Sequence, residues 1–331
     1  MNRLAVIGAG SWGTALALAL APRFDRTRLW ARDRDRAREM ETARENRLYL
    51  PGFTLPQQIE VSSHLSYVID QADIALTVVP AQHLRTVMLE LSVCLPRETI
   101  LVSATKGIEE GTLRRMSQVI ATALGDGSER IAVLSGPTFA QEIAAGEPAA
   151  VVIAAEDMAL AESIQRVFAT PALRFYASVD VIGVELGAAL KNVIAIGAGI
   201  CRGLGLGSNS VAALVTRGLA EITRLAVALG ASPRTLSGLA GLGDLVLTAT
   251  GNLSRNRYVG LQLGEGRKLQ DILASMSMVA EGVATCRAAH QLGAQHGIDL
   301  PIINQMYCVL YESKDPLQAT RELMDRPLTN E

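Results

Sequence analysis

Histidine, cysteine and aromatic side chains are scarce in this chain, and each shortage excludes something. Its 331 residues include 4 histidines and 4 cysteines, and only 4% are aromatic. Cys94, Cys201, Cys286 and Cys308 lie far apart, and no two have CxxC spacing. With so few histidines beside them, neither a metal site nor a disulfide framework is expected. Reduced thiols suit the cytosol, so a cytoplasmic location is expected. Few aromatics leave the cores to Ala, Val, Ile and Leu, and 49% hydrophobic residues with a mean hydropathy of +0.24 can supply large ones. The net charge of −2 and a pI near 6.2 offer no basis for a polyanion-binding surface, which excludes nucleic acid as an expected partner.

Targeting and membrane signals are also missing. The opening MNRLAVIGAG lacks the basic start, long apolar stretch and cleavage site of a signal peptide, and reads better as a strand. One apolar stretch has membrane length, GVELGAALKNVIAIGAGI at 183–200. It carries Glu185, Lys191, Asn192 and several glycines, so no membrane span is expected. No Pro/Ser-rich linker, internal repeat or low-complexity segment appears. The mixed-sign run at 32–47 reads as a solvated helix face.

The length suits two domains, and the pattern divides accordingly. Strand candidates are RLAVIG (3–8), TRLW (27–30), IEVS (59–62), DIALTVVP (73–80), TILVSATKG (99–107), RIAVLSG (130–136), AAVVIAA (149–155) and LRFYAS (173–178). Helical segments separate them, including one from Ser11 to about Ala21 and one over ARDRDRAREMETAR. Continuous apolar runs are buried on both faces, as in a parallel sheet, and strand–helix alternation predicts a doubly wound α/β domain over 1–179. After Val179 no strong strand remains. Helices are predicted at 180–200, 211–230, 233–240, 254–265, 268–275, 282–296 and 316–325, giving an all-helical domain over 180–331. Ser232-Pro233 supplies a start signal and Gly297 a stop.

Gly8-Ala9-Gly10-Ser11-Trp12-Gly13 fits G-x-G-x-x-G between a strand and a helix. Gly8 allows the tight turn, Gly10 the approach of backbone to a pyrophosphate, and Gly13 close helix–strand packing. The helix N-terminus offers free N–H groups to the phosphates. This predicts a dinucleotide-binding Rossmann domain. The second strand ends Leu29-Trp30-Ala31-Arg32-Asp33, with no acid directly at its tip. Arg32 can pair with a 2′-phosphate, which favours NADPH, or it is one more surface arginine; Asp33 can still serve NADH.

Lys106 follows a buried strand, at the edge where open α/β sheets bind ligands. It can serve a substrate phosphate or carbonyl, or be a solvated loop lysine. SGPTFAQE (135–142) is a similar strand-to-helix turn suited to an anion or amide. In the helical half, Gly243-Asp244 places a carboxylate in a glycine-rich turn. Asn252 or Ser254 can cap a helix with Arg255 and Asn256 in its first turn. A basic residue there opposes the helix dipole, so a bound phosphate explains it better than stability does. Lys191 sits amid apolar residues. Either it snorkels to water, or it faces the interdomain cleft as a proton donor oriented by Asp244 or Glu185. Gly197-Ala198-Gly199 follows no strand and reads as close helix packing.

GAGSWG, ATKGIE, SGPTFAQE, ELGAALKN, GLAGLGDL, TGNLSRNRYVG and VAEGV occur in this order. Together they resemble the bacterial NAD(P)-dependent glycerol-3-phosphate dehydrogenases over nearly the whole chain. The resemblance implies that Ser11 and Trp12 contact the cofactor pyrophosphate region and Arg32 its adenosine end. It puts Tyr49, in NRLYLPG, near the cofactor, along with Ala140. Lys106 would touch both cofactor and substrate, and Gly136 and Thr138 the substrate. Lys191 matches the proton-transfer lysine. Asp244, Ser254, Arg255 and Asn256 would form the substrate and phosphate site, with Arg255 also near the cofactor. Val279 and Glu281 would close over the nicotinamide side. The helical domain resembles that of the 6-phosphogluconate dehydrogenase-like superfamily, and a homodimer is implied.

The reading is reversible reduction of dihydroxyacetone phosphate to sn-glycerol 3-phosphate with NADPH or NADH, supplying the phospholipid backbone. Lys191, Lys106 and Asp244 carry the catalysis, and Asn192 either binds substrate or fixes the lysine's surroundings. Two alternatives stand beside it. One is another reductase of this architecture acting on a β-hydroxyacid or ketopantoate, which needs no phosphate turn. The other is a non-catalytic NADPH sensor, which has no use for Lys106, Lys191 and Asp244.

Overall fold

The computed structural model describes residues 1–125, 129–276 and 278–328. The chain divides into two compact units. The first holds Met1–Lys106 and Arg114–Glu185; the second holds Gly107–Leu113 and Leu186–Glu331.

The first unit is built on strands β1 (Arg3–Ile7), β2 (Arg26–Trp30), β3 (Glu45–Asn46), β4 (Leu50–Thr54), β5 (Ile59–Ser62), β6 (Ile74–Thr77), β7 (Ile100–Ser103), β8 (Ile131–Ser135), β9 (Ala149–Ala155) and β10 (Leu173–Ser178). Its helices are α1 (Ser11–Leu20), α2 (Arg34–Ala43), α3 (Leu65–Ile69), α4 (Leu84–Ser92), α5 (Met116–Leu124), α6 (Ala140–Ala144) and α7 (Met158–Phe168). Eight strands form one sheet in the order β10-β9-β8-β7-β6-β1-β2-β5. The chain runs outward from β1 through β2 to β5, then returns to start β6 on β1's other side. The carboxyl ends of β1 and β6 therefore mark the point where strand order reverses, the place where such sheets bind ligands.

Alternation along β1 explains why its sequence is apolar from Leu4 to Ile7. Leu4 and Val6 enter one core with α1 and α7, whereas Ala5 and Ile7 enter the other with α4 and α5. Helices on both faces leave no solvated side. The sheet is parallel except for β8 and β9, which pair antiparallel. AAVVIAA is apolar whichever way it runs, so its composition carries no strand direction, and the expectation of a parallel sheet is corrected at that pair. The small β3–β4 hairpin was not anticipated either. Pro51 and Gly52 lie inside β4, and both residues weaken a strand pattern.

The second unit is helical: α8 (Val181–Gly203, whose first turn lies in the first unit), α9 (Ser208–Ala228), α10 (Pro233–Leu236), α11 (Asp244–Thr250), α12 (Arg255–Gly264), α13 (Leu269–Ala274), α14 (Glu281–His296), α15 (Pro301–Tyr311) and α16 (Pro316–Met324). Among the described helices α8 alone is long and apolar enough to cross a membrane, and 94% of its most apolar window is buried within the protein. Gly297 ends α14 in the left-handed conformation, as the sequence predicts.

Two helices depart from the sequence reading. Gly243-Asp244 is no loop: residues Leu239–Gly243 form a π-helical turn that runs straight into α11, with Asp244 its first residue. The glycines there serve close approach rather than chain reversal. A Cβ on Gly241 would stand 2.0 Å from the Leu236 carbonyl oxygen, and one on Gly187 would stand 2.6 Å from that of Ala240. Helix α15 was missed because its cap is not local. Leu300 at the N-cap position offers no capping side chain. Instead the Glu221 carboxylate of α9 accepts from the N–H groups of Ile302 (2.8 Å) and Ile303 (3.1 Å).

Candidate active site

The glycine loop leaves β1 at Gly8, whose φ of +122° suits only glycine. A Cβ there would stand 2.6 Å from the Val78 carbonyl oxygen, and one on Gly13 would stand 1.8 Å from that of Gly8. Packing therefore demands the first and third glycines. Beside Gly10 no atom lies within 4 Å of where a Cβ would be. Packing does not require a glycine here, and the bare backbone leaves room for a ligand to approach. Helix α1 begins here with no side-chain cap and no acid in its first turn, so Ser11 and its neighbours present uncapped N–H groups and a positive helix end. Among the described residues the buried Trp12 Nε1–H has no hydrogen-bond partner. Open space, free donors and an orphaned indole N–H fit a dinucleotide diphosphate. Behind the loop lies Asn46, which the sequence reading missed: its Nδ2 donates to the Ala9 carbonyl at 2.9 Å and to Thr14 Oγ1 at 2.8 Å.

At the end of β2, Arg32 is exposed. Asp33 caps α2, its Oδ1 accepting from the Arg36 N–H at 2.9 Å. Arg36 Nη1 donates to the Tyr49 hydroxyl at 2.7 Å, which holds that ring beside the same corner. Along the sheet edge, Lys106, Gly136 and Thr138 converge on one carbonyl. Lys106 Nζ donates to the Gly136 oxygen at 3.3 Å, and Thr138 Oγ1 donates to it at 3.2 Å. Ala140 opens α6 two residues later. Gly136 is required by packing, since a Cβ would stand 2.9 Å from Val151 Cα.

In the helical unit, Lys191 does not snorkel. The residue is 5% exposed, and its Nζ donates to Asp244 Oδ1 at 2.5 Å and to Thr248 Oγ1 at 2.6 Å. Thr248 is a second residue that sequence reading missed. It lies one helical turn after Asp244, so it shares a face with it only once 244–250 is known to be helix. Of the two proposed orienting acids, Asp244 is the partner. Glu185 is committed elsewhere, accepting from Arg115 Nη1 at 2.5 Å and from the Ser117 backbone N–H and Oγ, each at 2.7 Å. Gly199 holds α8 against α12: a Cβ on it would stand 2.0 Å from the Arg257 carbonyl oxygen. The close-packing reading of Gly197-Ala198-Gly199 therefore holds.

Asn192 belongs to a buried amide chain. Its Oδ1 accepts from Asn256 Nδ2 at 2.9 Å, and Asn256 Oδ1 accepts from the Gly282 N–H at 2.9 Å. Ser254 caps α12, its Oγ accepting from the Arg257 N–H at 3.2 Å. Arg255 follows as the first helical residue, with no acid in that turn. Among the described residues its guanidinium has no side-chain hydrogen bond or ion pair. Burial lowers its pKa from the ordinary value, with the charge of Glu281 opposing the shift. A desolvated cation at a helix N-terminus, without an acid in bonding range, is a receptor for an anion. Glu281 opens α14, and Val279, half-exposed, lines a cavity of about 440 Å³ with Met276, Met278, Arg287 and Tyr311.

Comparison with known proteins agrees along the whole chain. The model of the NAD-dependent glycerol-3-phosphate dehydrogenase N-terminus matches residues 3–161, and that of the C-terminus matches residues 180–321. The chain is 51% identical over 334 residues to a glycerol-3-phosphate dehydrogenase [NAD(P)+] of Koribacter versatilis, covering 100% of this chain and 99% of the relative. It is 52% identical to that of Syntrophotalea carbinolica, covering 99% of each. The crystal structure of glycerol-3-phosphate dehydrogenase from Coxiella burnetii superposes with a TM-score of 0.94 at 39% identity, over 98% of this chain and 99% of that one.

Proposed function

The chain belongs to the NAD-dependent glycerol-3-phosphate dehydrogenase family, and on that premise we propose that it reduces dihydroxyacetone phosphate reversibly to sn-glycerol 3-phosphate. NADPH and NADH are its cofactors, and the product supplies the backbone of glycerophospholipids. The observation that carries the reading is the buried Lys191–Asp244–Thr248 group, a preorganised ammonium in a helical core.

The α/β unit is the cofactor-binding domain and the helical unit the substrate and catalytic domain. Gly8, Gly10, Ser11, Trp12 and Gly13 hold the diphosphate, and Arg32 and Tyr49 the adenosine end. Lys106, Gly136 and Thr138 serve the substrate, and Ala140 lies against the cofactor. Ser254, Arg255 and Asn256 bind the substrate phosphate, which accepts from the first N–H groups of α12 that the Ser254 cap leaves free and from the guanidinium. Val279 and Glu281 close over the nicotinamide side.

When bound, the reduced nicotinamide supplies a hydride to the substrate's carbonyl carbon. The C=O π pair moves to oxygen, where negative charge develops. Lys191 Nζ stabilises that charge and delivers a proton to the oxygen, giving the secondary alcohol. Asp244 and Thr248 accept hydrogen bonds from the ammonium and thereby fix its direction. In the oxidation direction the neutral amine takes the alcohol proton. Lys106 adds positive field. Asn192 acts through Asn256, holding the phosphate-side amide in register.

The proposal extends to a homodimer in the cytoplasm. Four free thiols support a reducing compartment. The deciding experiment is oxidation of NADPH with dihydroxyacetone phosphate as the sole added substrate. Steady oxidation is expected. Oxidation only with ketopantoate, or with the oxo form of a β-hydroxyacid, would favour another reductase, and binding without turnover a sensor.

A further inference from the structure

We infer that Asn46 is a positioning residue for cofactor binding, gripping the Ala9–Gly10 peptide so that the Gly10 N–H is turned toward the diphosphate. The inference rests on the reading of Gly8–Gly13 as the dinucleotide loop.

Asn46 is 2% exposed, and its hydrogen-bonding capacity is spent inside the protein. Nδ2 donates to the Ala9 oxygen at 2.9 Å and to Thr14 Oγ1 at 2.8 Å, while Oδ1 accepts from the Tyr49 N–H at 3.2 Å. An amide side chain has two N–H donors, and both are used here. Ala9 stands between the two glycines of the loop. The described peptide bonds are trans. In a trans peptide the C=O and the N–H that share the bond point in opposite directions. Drawing the Ala9 oxygen down to the buried amide therefore sends the Gly10 N–H the other way, away from that amide. Among the described residues no acceptor takes that N–H.

Such a grip matters because the loop is poor in steric restraint. Gly8 and Gly10 flank the peptide, and glycine accepts many backbone conformations. An unheld peptide would populate several orientations, and a ligand needing one of them binds more weakly by the fraction populated. The same side chain holds the backbone of Tyr49, so glycine loop and tyrosine are set by one residue. The β3–β4 hairpin, irregular and only partly buried, delivers it.

The test is a direct titration of the full chain with NADPH, read by cofactor fluorescence, with the thermal midpoint and the steady-state constants measured alongside. Asn46→Asp keeps an acceptor for the Tyr49 N–H but sets a carboxylate oxygen against the Ala9 oxygen; Asn46→Ser loses the reach. Both should weaken NADPH binding about tenfold or more, the loss of a buried hydrogen bond with its orienting effect. KM for NADPH should rise with it, while kcat at saturating cofactor and KM for dihydroxyacetone phosphate change less than about threefold. Thr14→Val is the control: Thr14 is fully buried, and its loss removes the second bond while leaving the Ala9 grip. It should lower the midpoint without weakening NADPH. The inference is overturned if both Asn46 variants bind NADPH as the wild type does. It is overturned equally if Thr14→Val loses as much affinity as they do, which would make Asn46 a staple of the fold. Failure of the wild type itself to bind NADPH or NADH would instead overturn the reading of the loop.

Discussion

Lys191 Nζ stands 2.5 Å from Asp244 Oδ1, with the lysine side chain 6% exposed and the carboxylate fully buried. Two opposite charges removed from water stabilise each other only as a pair, and either one alone is costly. Lys191→Met or Asp244→Leu should each destabilise the protein by about 3–5 kcal/mol, while the double variant recovers most of that loss. Turnover tells a different story. Loss of the proton donor should lower kcat by roughly 10²–10⁴ in Lys191→Met and in the stable double variant alike. Thermal midpoints and kcat on the three proteins check this; near-normal turnover without Lys191 would end its role in proton transfer.

The loop glycines separate folding from binding. Gly13→Ala places a Cβ 1.8 Å from the Gly8 carbonyl oxygen and should destabilise the protein by about 1–3 kcal/mol through overpacking. Gly10→Ala meets nothing within 4 Å, so its thermal midpoint should match the wild type. Its NADPH affinity should nevertheless fall about tenfold, because the methyl occupies ground meant for the diphosphate. Calorimetric titration against melting temperature distinguishes the two.

Arg255 makes no ion pair or side-chain hydrogen bond among the described residues, Glu281 acting on it only through its charge, so its removal should harm substrate binding more than the fold. Arg255→Ala should raise KM for dihydroxyacetone phosphate by about 10–100-fold, the value of a charge-assisted hydrogen bond. Arg255→Lys, which keeps charge but not the planar fork, should fall between. If KM and kcat for dihydroxyacetone phosphate stay as they were, the phosphate lies elsewhere.

Arg32 is exposed at the end of β2 beside a helix-capping Asp33. Arg32→Ala should cost NADPH about tenfold in kcat/KM and NADH much less, since only NADPH carries the 2′-phosphate. An equal loss for both cofactors contradicts that assignment.

Glu221 gives the helical unit a dependence on pH. Burial pushes its pKa from the ordinary 4.5 up to about 7, overcoming the two N–H donors of α15 and the charge of Arg224 that favour the carboxylate, with Asp299 adding to the rise. The folded protein thus binds this proton more tightly than the unfolded chain. The stability it contributes is fully present below pH 4.5 and is lost as pH rises through about 7. Denaturant unfolding at pH 5 and pH 8 should show the wild type losing about 2–3 kcal/mol relative to Glu221→Gln. Parallel pH profiles for the two proteins would show that Glu221 does not titrate there.

Much of this was legible in the residues, and the reason is local. Gly8–Gly13 carries its meaning in spacing, and most main-sheet strands are apolar runs that need no partner to be recognised. Arg255 was conspicuous because a cation at a helix start works against the dipole. What escaped notice depends on residues distant in sequence. Helix α15 is capped from α9 by Glu221, so no capping side chain stands before Pro301 to strengthen the start that this proline marks. Thr248 joins Lys191 only because 244–250 is a helix, and the glycines before it imitate a turn. Asn46 reads as one polar residue in a charged stretch, since its partners Ala9 and Thr14 lie more than thirty residues earlier. The antiparallel course of β9 is invisible in a segment that is uniformly apolar.

Seven residues, Gly107–Leu113, belong to the helical unit although the sequence on either side belongs to the sheet. Glu110 within them pairs with Arg287 of α14 at 3.6 Å, and that guanidinium lies 4.1 Å from the centre of the Tyr311 ring. The helical unit is therefore not a contiguous cassette. A gene fragment beginning at α8 would encode it with this piece, and the Glu110 partner of Arg287, missing.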